Sequence, residues 1–437
     1  MDDRPVLSYE DDRMFTTICG GYIIVFTGQF STSGGGYTDM SGNFIRTAPW
    51  LNSQRVRGYL FIAAAANIAL IVWLLATARA GVDRNGFLIG TDFISFWTSG
   101  RMLLAGQNVY DMAAHIAAQQ QYFKAADGFT AFFYPPTFLP FVAPLGALGY
   151  FPALAVWIAL TGGLYLAAVR GWIGQVGAGA PLWLLALAFP PVAITITHGQ
   201  TSFLLAALLG GGALLVRDRP VAAGICFGLA TIKPQFGLLI PIVLLLTGQW
   251  RAIVSAGATA LALAAVSTLA FGADIWADWF AISDRASTAM ATGAVGYGKM
   301  MSAFAGVKLL GGNTAAAYAV QAAVSLAVVA TLIAVAFRRK YDPGIGALML
   351  AGAQLATPFV LDYDMVILAF PLLWLAAQPD RDWQRIAILF AFAAPIFARP
   401  LALATSVPIM PIAMAVLFAV IARAILAERG SADAAPT

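Results

Sequence analysis

The chemistry available to this chain rests on a few polar residues set in apolar surroundings. Asp92 stands in Gly90-Thr91-Asp92-Phe93-Ile94-Ser95-Phe96-Trp97, with Phe93, Phe96, Trp97 and Met102 at helical spacing. Its carboxylate can cap the helix that follows, where the dipole favours negative charge. Partly desolvated at a membrane boundary, it also gains basicity and can take a proton from an attacking hydroxyl. Lys233 interrupts the apolar tract Gly228 to Leu239, so its ammonium must snorkel, pair or hold an anion. A compact ammonium suits phosphate oxygens, and Gln235 offers a further donor two residues on. His198-Gly199-Gln200 reads either as a tight turn with two solvated side chains or as a pair of donors to a sugar or phosphate oxygen. Tyr134, before Pro135 and Pro136, is either an interface anchor or part of a site. Asp362, Tyr363 and Asp364 close the stretch that begins at Thr357, either as solvated loop residues or as hydrogen-bond partners.

The elements that must position these residues are those of a membrane. Of 437 residues, 60% are apolar and 11% charged. Soluble domains carry about 25% charge, so this chain cannot cover a water-facing surface. A soluble enzyme, a disordered chain and a nucleic-acid binder are all excluded, leaving an all-α polytopic membrane protein. The net charge of +4 belongs to Lys and Arg in cytoplasmic loops. Two histidines, His115 and His198, exclude a His-rich metal site, and Cys19 and Cys226 are too far apart in sequence to suggest a framework. No phosphate-binding glycine loop or hydrolase motif occurs. Nothing calls for a cofactor, and isolated acids give little reason for a divalent metal.

Hydropathy divides the chain into a leader (1–57), a membrane domain (58–426) and a cytoplasmic tail (427–437). The apolar stretch Phe15 to Phe30 is too short to cross, and Met40 is an alternative start. Arg46, Arg55 and Arg57 place the start of the 58–78 span in the cytoplasm and residues 79–133 outside. The run from Phe93 reads as a short helix lying in the interface. Further spans are expected at 151–169, 181–197, 200–216, 251–271, 313–337, 344–361, 364–377, 385–399 and 403–424. Shorter apolar pieces lie at 134–149, 220–232 and 234–248, giving 11–13 helices and a second exterior loop at 272–312. The cationic anchors agree only if 134–149 dips in and returns, unless Arg170 is an exception.

Four segments then share an order. Thr91 to Asp111, Phe132 to Leu148, His198 to Leu209 and Ala222 to Leu245 together resemble glycosyltransferase family 87 over roughly Gly58 to Leu375. The resemblance implies a GT-C-like fold and transfer of one mannose- or arabinose-like sugar from a polyprenyl-phosphate donor. The acceptor would be a lipid-linked or cell-envelope glycan on the extracytoplasmic side of a bacterial inner membrane, with both termini cytoplasmic. Asp92 takes the place of the family's base and Asp111 a structural one. Lys233 matches the lysine of a KPQ motif that would meet the donor phosphate, and His198 and Gln200 match an HGQ motif. Where relatives carry Ser-Pro followed by Trp and His, this chain has Thr357-Pro358 and Asp362-Tyr363-Asp364, so Tyr363 or Asp364 would stand in for a histidine. A single displacement would invert the anomeric centre. The alternatives are a secondary transporter and an O-antigen-type polymerase or ligase.

Overall fold

The computed structural model describes residues 40–84, 86–124, 129–177 and 181–433, so residues 1–39 of the 1–57 leader, with the apolar stretch Phe15 to Phe30, lie outside the described residues. The described chain is almost entirely helical, with only isolated β-bridges. In order come α1 (Met40–Thr47), α2 (Ser53–Thr77), α3 (Phe93–Leu104), α4 (Met112–Tyr122), α5 (Leu139–Val142), α6 (Tyr150–Val176) and α7 (Leu182–Ala188). Then follow α8 (Pro190–His198), α9 (Ser202–Leu215), α10 (Pro220–Leu229), α11 (Leu239–Leu246), α12 (Trp250–Phe271) and α13 (Asp274–Thr292). The chain continues with α14 (Ala303–Leu309), α15 (Thr314–Ala336), α16 (Pro343–Leu355), α17 (Ala369–Ala376), α18 (Gln384–Thr405) and α19 (Ile409–Asp433).

Six of these, α2, α6, α12, α15, α18 and α19, are long and apolar enough to cross a membrane. Five further apolar helical segments, Pro136–Ala147, Ser202–Leu215, Pro220–Ile232, Pro234–Leu246 and Pro343–Leu355, hold only 12 to 14 residues. At 1.5 Å per residue they reach roughly 18–21 Å, short of a hydrocarbon core about 30 Å thick. The long helices expose apolar side chains such as Ile62 on α2 and Leu269 on α12. By contrast α16 is buried on every face, and α9 nearly so. A helix that is apolar all round belongs inside, and small residues let its neighbours come close. Gly210 of α9 lies against the Phe370 ring, and its carbonyl accepts from Trp172 Nε1 at 2.8 Å.

Contacts between helix ends show that the cations flanking the later helices share one end of the bundle. The Tyr341 hydroxyl donates to the Ala213 carbonyl, bringing the Arg338–Lys340 run to Arg217 and Arg219. Ser255 Oγ donates to the Val221 carbonyl, which adds Arg251 at the head of α12. Trp374 lies against Gly344, and Gln384 Nε2 donates to the carbonyls of Leu375 and Gln378, which adds Arg381 and Arg385. Arg46 of α1 pairs with Asp382 at 3.4 Å, and Gly171 of α6 lies against Leu214, so Arg170 belongs to this end as well.

Segment 134–149 begins and ends at the opposite end. Tyr134 bonds Gln200 and Thr201, the Leu148 carbonyl accepts from Trp97 Nε1 at 2.9 Å, and Tyr150 donates to the Gly90 carbonyl at 2.7 Å. It therefore returns without crossing, and every cationic anchor agrees without exception.

Three expectations are corrected. The helix from Phe93 does not lie on the surface, because Phe93 to Gly100 are all buried and Gly100 meets Gly146 backbone to backbone. Span 181–197 is two helices, since Pro190 and Pro191 restart the chain as α8. The second exterior loop is largely helical, and α13 within it bonds Trp279 Nε1 to the Phe133 carbonyl at 3.2 Å.

Two measurements follow from these contacts. A Cβ on Gly100 would sit 2.3 Å from the Val142 carbonyl oxygen, whereas one on Gly163 meets nothing within 4 Å. Gly100→Ala should cost about 1–3 kcal/mol of stability in detergent melting, and Gly163→Ala should leave the midpoint unchanged. His115 of α4 is buried against Phe132 with Nδ1 3.1 Å from the Val109 carbonyl, and burial pushes its imidazole down from 6.5 to about 4. The unfolded chain then binds the proton first, so stability holds above about pH 6.5 and falls as pH drops toward 4. Melting followed from pH 7 to 4.5 should show that slope, and His115→Phe should flatten it.

Candidate active site

Three breaks between short helices meet at the end of the bundle away from the cations. The first lies between α8 and α9, where Gly199 takes φ +64°. A Cβ there would come within 2.7 Å of Phe93 Cβ, so both the turn and the packing demand glycine. The His198 carbonyl accepts from the Asp92 amide at 3.1 Å, and the Thr197 carbonyl from the Gly90 amide at 3.0 Å. Backbone bonds thus fix Asp92 against the turn.

Asp92 heads α3 but does not cap it with its side chain. Its Oδ2 instead accepts from Gln200 Nε2 at 2.7 Å. Gln200 Oε1 accepts from the Tyr134 hydroxyl and the Thr201 amide, each at 3.0 Å, so both ends of the amide are committed and its orientation is set. The capping role therefore gives way to a carboxylate held from the side and half-buried. His198 places Nδ1 2.9 Å from the Ile194 carbonyl, which calls for an N–H there and leaves the neutral ring's lone pair on Nε2. Its ring lies 5.9 Å from that of Tyr363.

The second break is Lys233, between short 3-10 turns at Ala230–Ile232 and Pro234–Gly237. Its Nζ donates to Asp364 Oδ1 at 2.8 Å, and the two side chains are 7% and 2% exposed. The rings of Tyr363, Tyr134 and Phe236 stand 5.1, 5.8 and 6.0 Å from the ammonium. Of the outcomes open to a lysine in an apolar tract, pairing is the one realised. Gln235 is half-buried and joins none of these bonds.

The third break follows α16, where Asp362–Leu368 forms a 3-10 segment that leads into α17. Asp362, Tyr363 and Asp364 are all buried, so they are not solvated loop residues. Asp364 also accepts from Ser202 Oγ at 2.7 Å and, through Oδ2, from the Leu361 amide at 3.2 Å. Asp362 faces Arg399 of α18 at 3.7 Å and lies within electrostatic reach of His198 and Asp92.

The folded chain gathers Asp92, Tyr134, His198, Gln200, Lys233, Tyr363 and Asp364, and leaves Gln235 at the margin. Asp362 joins the cluster with them, and Ser202 and Arg399 join it without having been expected there. Asp111 is confined to α4, whose first amides it caps at 3.0 and 3.1 Å. Arg399 was legible as a charge between Pro395 and Pro400 inside an apolar helix, but ending the span at 399 disguised it as a terminal anchor.

The buried pair predicts its own mutational pattern. Removing one partner leaves an uncompensated charge, so Lys233→Met or Asp364→Asn should each cost about 3–5 kcal/mol. Lys233→Met combined with Asp364→Leu should recover a large part of that loss, measured as melting midpoints in detergent.

Comparison with known proteins bears on the same residues. No curated protein and no solved structure matches the chain. A family model described as Glycosyltransferase family 87 matches residues 132–361, more than half of the sequence. Tyr134, His198, Gln200 and Lys233 fall inside the match, whereas Asp92, Asp364 and Arg399 fall outside it. The family match and the membrane-length helices agree on one identity: the chain belongs to glycosyltransferase family 87, a family of membrane glycosyltransferases.

Proposed function

We propose that this membrane glycosyltransferase moves a single mannose- or arabinose-like sugar from a polyprenyl phosphate to a lipid-linked or cell-envelope glycan, with Asp92 as the general base. The observation that carries this reading is the Asp92 carboxylate. It is positioned by Gln200 at 2.7 Å, and its Oδ1 takes no hydrogen bond from the described residues. A proton acceptor so held, beside the half-buried His198 and the rings of Tyr134 and Tyr363, is suited to an incoming hydroxyl.

In the proposed step the acceptor oxygen attacks the anomeric carbon while its proton passes to Asp92. The bond from that carbon to the phosphate oxygen breaks, and its electron pair leaves with the polyprenyl phosphate. Single displacement inverts the centre. Charge grows on the departing phosphate, where preplaced electrostatic stabilisation does most. Lys233 contributes to this field from behind the Asp364 carboxylate, and His198 Nε2 and Tyr363 face the sugar. Gln235 is retained as an outer contact to the donor.

The donor class follows from position. Lys and Arg are enriched at the cytoplasmic end of membrane bundles, and the larger group of them here lies at the end opposite Asp92, which favours a site open to the extracytoplasmic side. The short helices end there, which suits a donor whose headgroup enters from the lipid. A bacterial inner membrane with cytoplasmic termini fits this orientation.

Purified chain incubated with a panel of polyprenyl-phosphate sugars and lipid acceptors should yield lipids longer by one sugar, read by mass analysis. Asp92→Asn should keep the fold and lower turnover by about 10²–10⁴. Near-normal turnover in that variant overturns the assignment of the base.

A further inference from the structure

We infer that Arg399 is the cation that directly grips the donor's phosphate, an inference that rests on the polyprenyl-phosphate reading above. The argument begins with the charges of the cluster. Lys233 is matched at 2.8 Å by Asp364, both oxygens of Asp364 are occupied, and the pair is almost fully enclosed. It is a closed, neutral unit. Arg399 is different: its side chain is 37% exposed, and its contact with Asp362 is 3.7 Å, beyond hydrogen-bond length. Its guanidinium donates no hydrogen bond to the described residues, which leaves a planar fork of five N–H groups open. That geometry matches two oxygens of one phosphate.

Placement supports the same conclusion. Arg399 lies within α18, one of the six helices apolar enough to cross a membrane, six residues before its end at Thr405. A cation in such a segment is costly and by default marks a functional site. Pro395 and Pro400 flank it inside the helix. Neither proline has an amide to donate, so α18 is open to bending on both sides of Arg399. The segment also faces the cluster: Arg399 stands 3.7 Å from Asp362, which lies within electrostatic reach of His198 and Asp92. Asp362 is itself tied by Oδ1 to the Tyr363 amide at 2.9 Å, so it steers the guanidinium without saturating it.

The test uses the full chain in detergent, with binding read by native mass spectrometry for two probes, a polyprenyl monophosphate and inorganic phosphate. Arg399→Gln should weaken the polyprenyl monophosphate about tenfold or more, and Arg399→Lys should weaken it less. Elution profile and melting midpoint confirm that each variant is folded, and Arg399→Lys keeps the test intact if Arg399→Gln is not. Binding by Arg399→Gln within twofold of wild type overturns the inference. If the wild type binds inorganic phosphate through Arg399 but no polyprenyl monophosphate, the anion site stands and the polyprenyl donor falls. If the wild type binds neither probe, the inference falls too.

Discussion

A charged pair sealed within apolar helices sets the terms for the rest of this molecule. Lys233 and Asp364 come from segments 131 residues apart, and neither charge is tolerable there without the other. Their bond fastens the break after α10 to the 3-10 segment before α17, and the Ser202 hydroxyl draws in the head of α9. Tyr134 and Tyr363 close over the ammonium, which places their rings beside the turn that carries His198 and Gln200. The Asp92 carboxylate is therefore positioned by a network whose anchor lies one layer deeper. In a bilayer this arrangement has a further logic, because the broken helix ends leave backbone groups that need a polar lining.

Much of this was readable from residue order. Long apolar runs predicted the membrane helices, since nothing else accounts for so little charge, and the positions of arginine and lysine predicted which ends lie together. The four ordered segments gave the family before any geometry was known. Reading failed where local pattern and three-dimensional setting diverge. The helical spacing after Asp92 suggested an amphipathic surface helix, yet Ser95, Thr98 and Ser99 are small enough to be buried, and two of them satisfy their hydroxyls on backbone carbonyls at Asp92 and Ser95. Asp364 looked like a solvated acid because its partner is remote in sequence. No local signal can join Lys233 to a carboxylate from another segment.

The segment 134–149 shows how topology constraints can outperform hydropathy. Its apolar content and length leave crossing or returning equally open, and its four prolines favour neither. Charge placement on the later helices called for a return unless Arg170 were an exception, and the close contact of Gly100 with Gly146 shows how the return is held. A pair of glycines lets two backbones touch where any side chain would wedge them apart.

The short helices cannot each span the hydrocarbon layer on their own. Segments of roughly 18–21 Å fall about 10 Å short of a slab about 30 Å thick. A helix that stops short leaves its neighbours or a thinned bilayer to make up the difference. The six longer helices supply that length, and the gap left over the broken ends is where buried polar side chains find room that lipid alone would not give them.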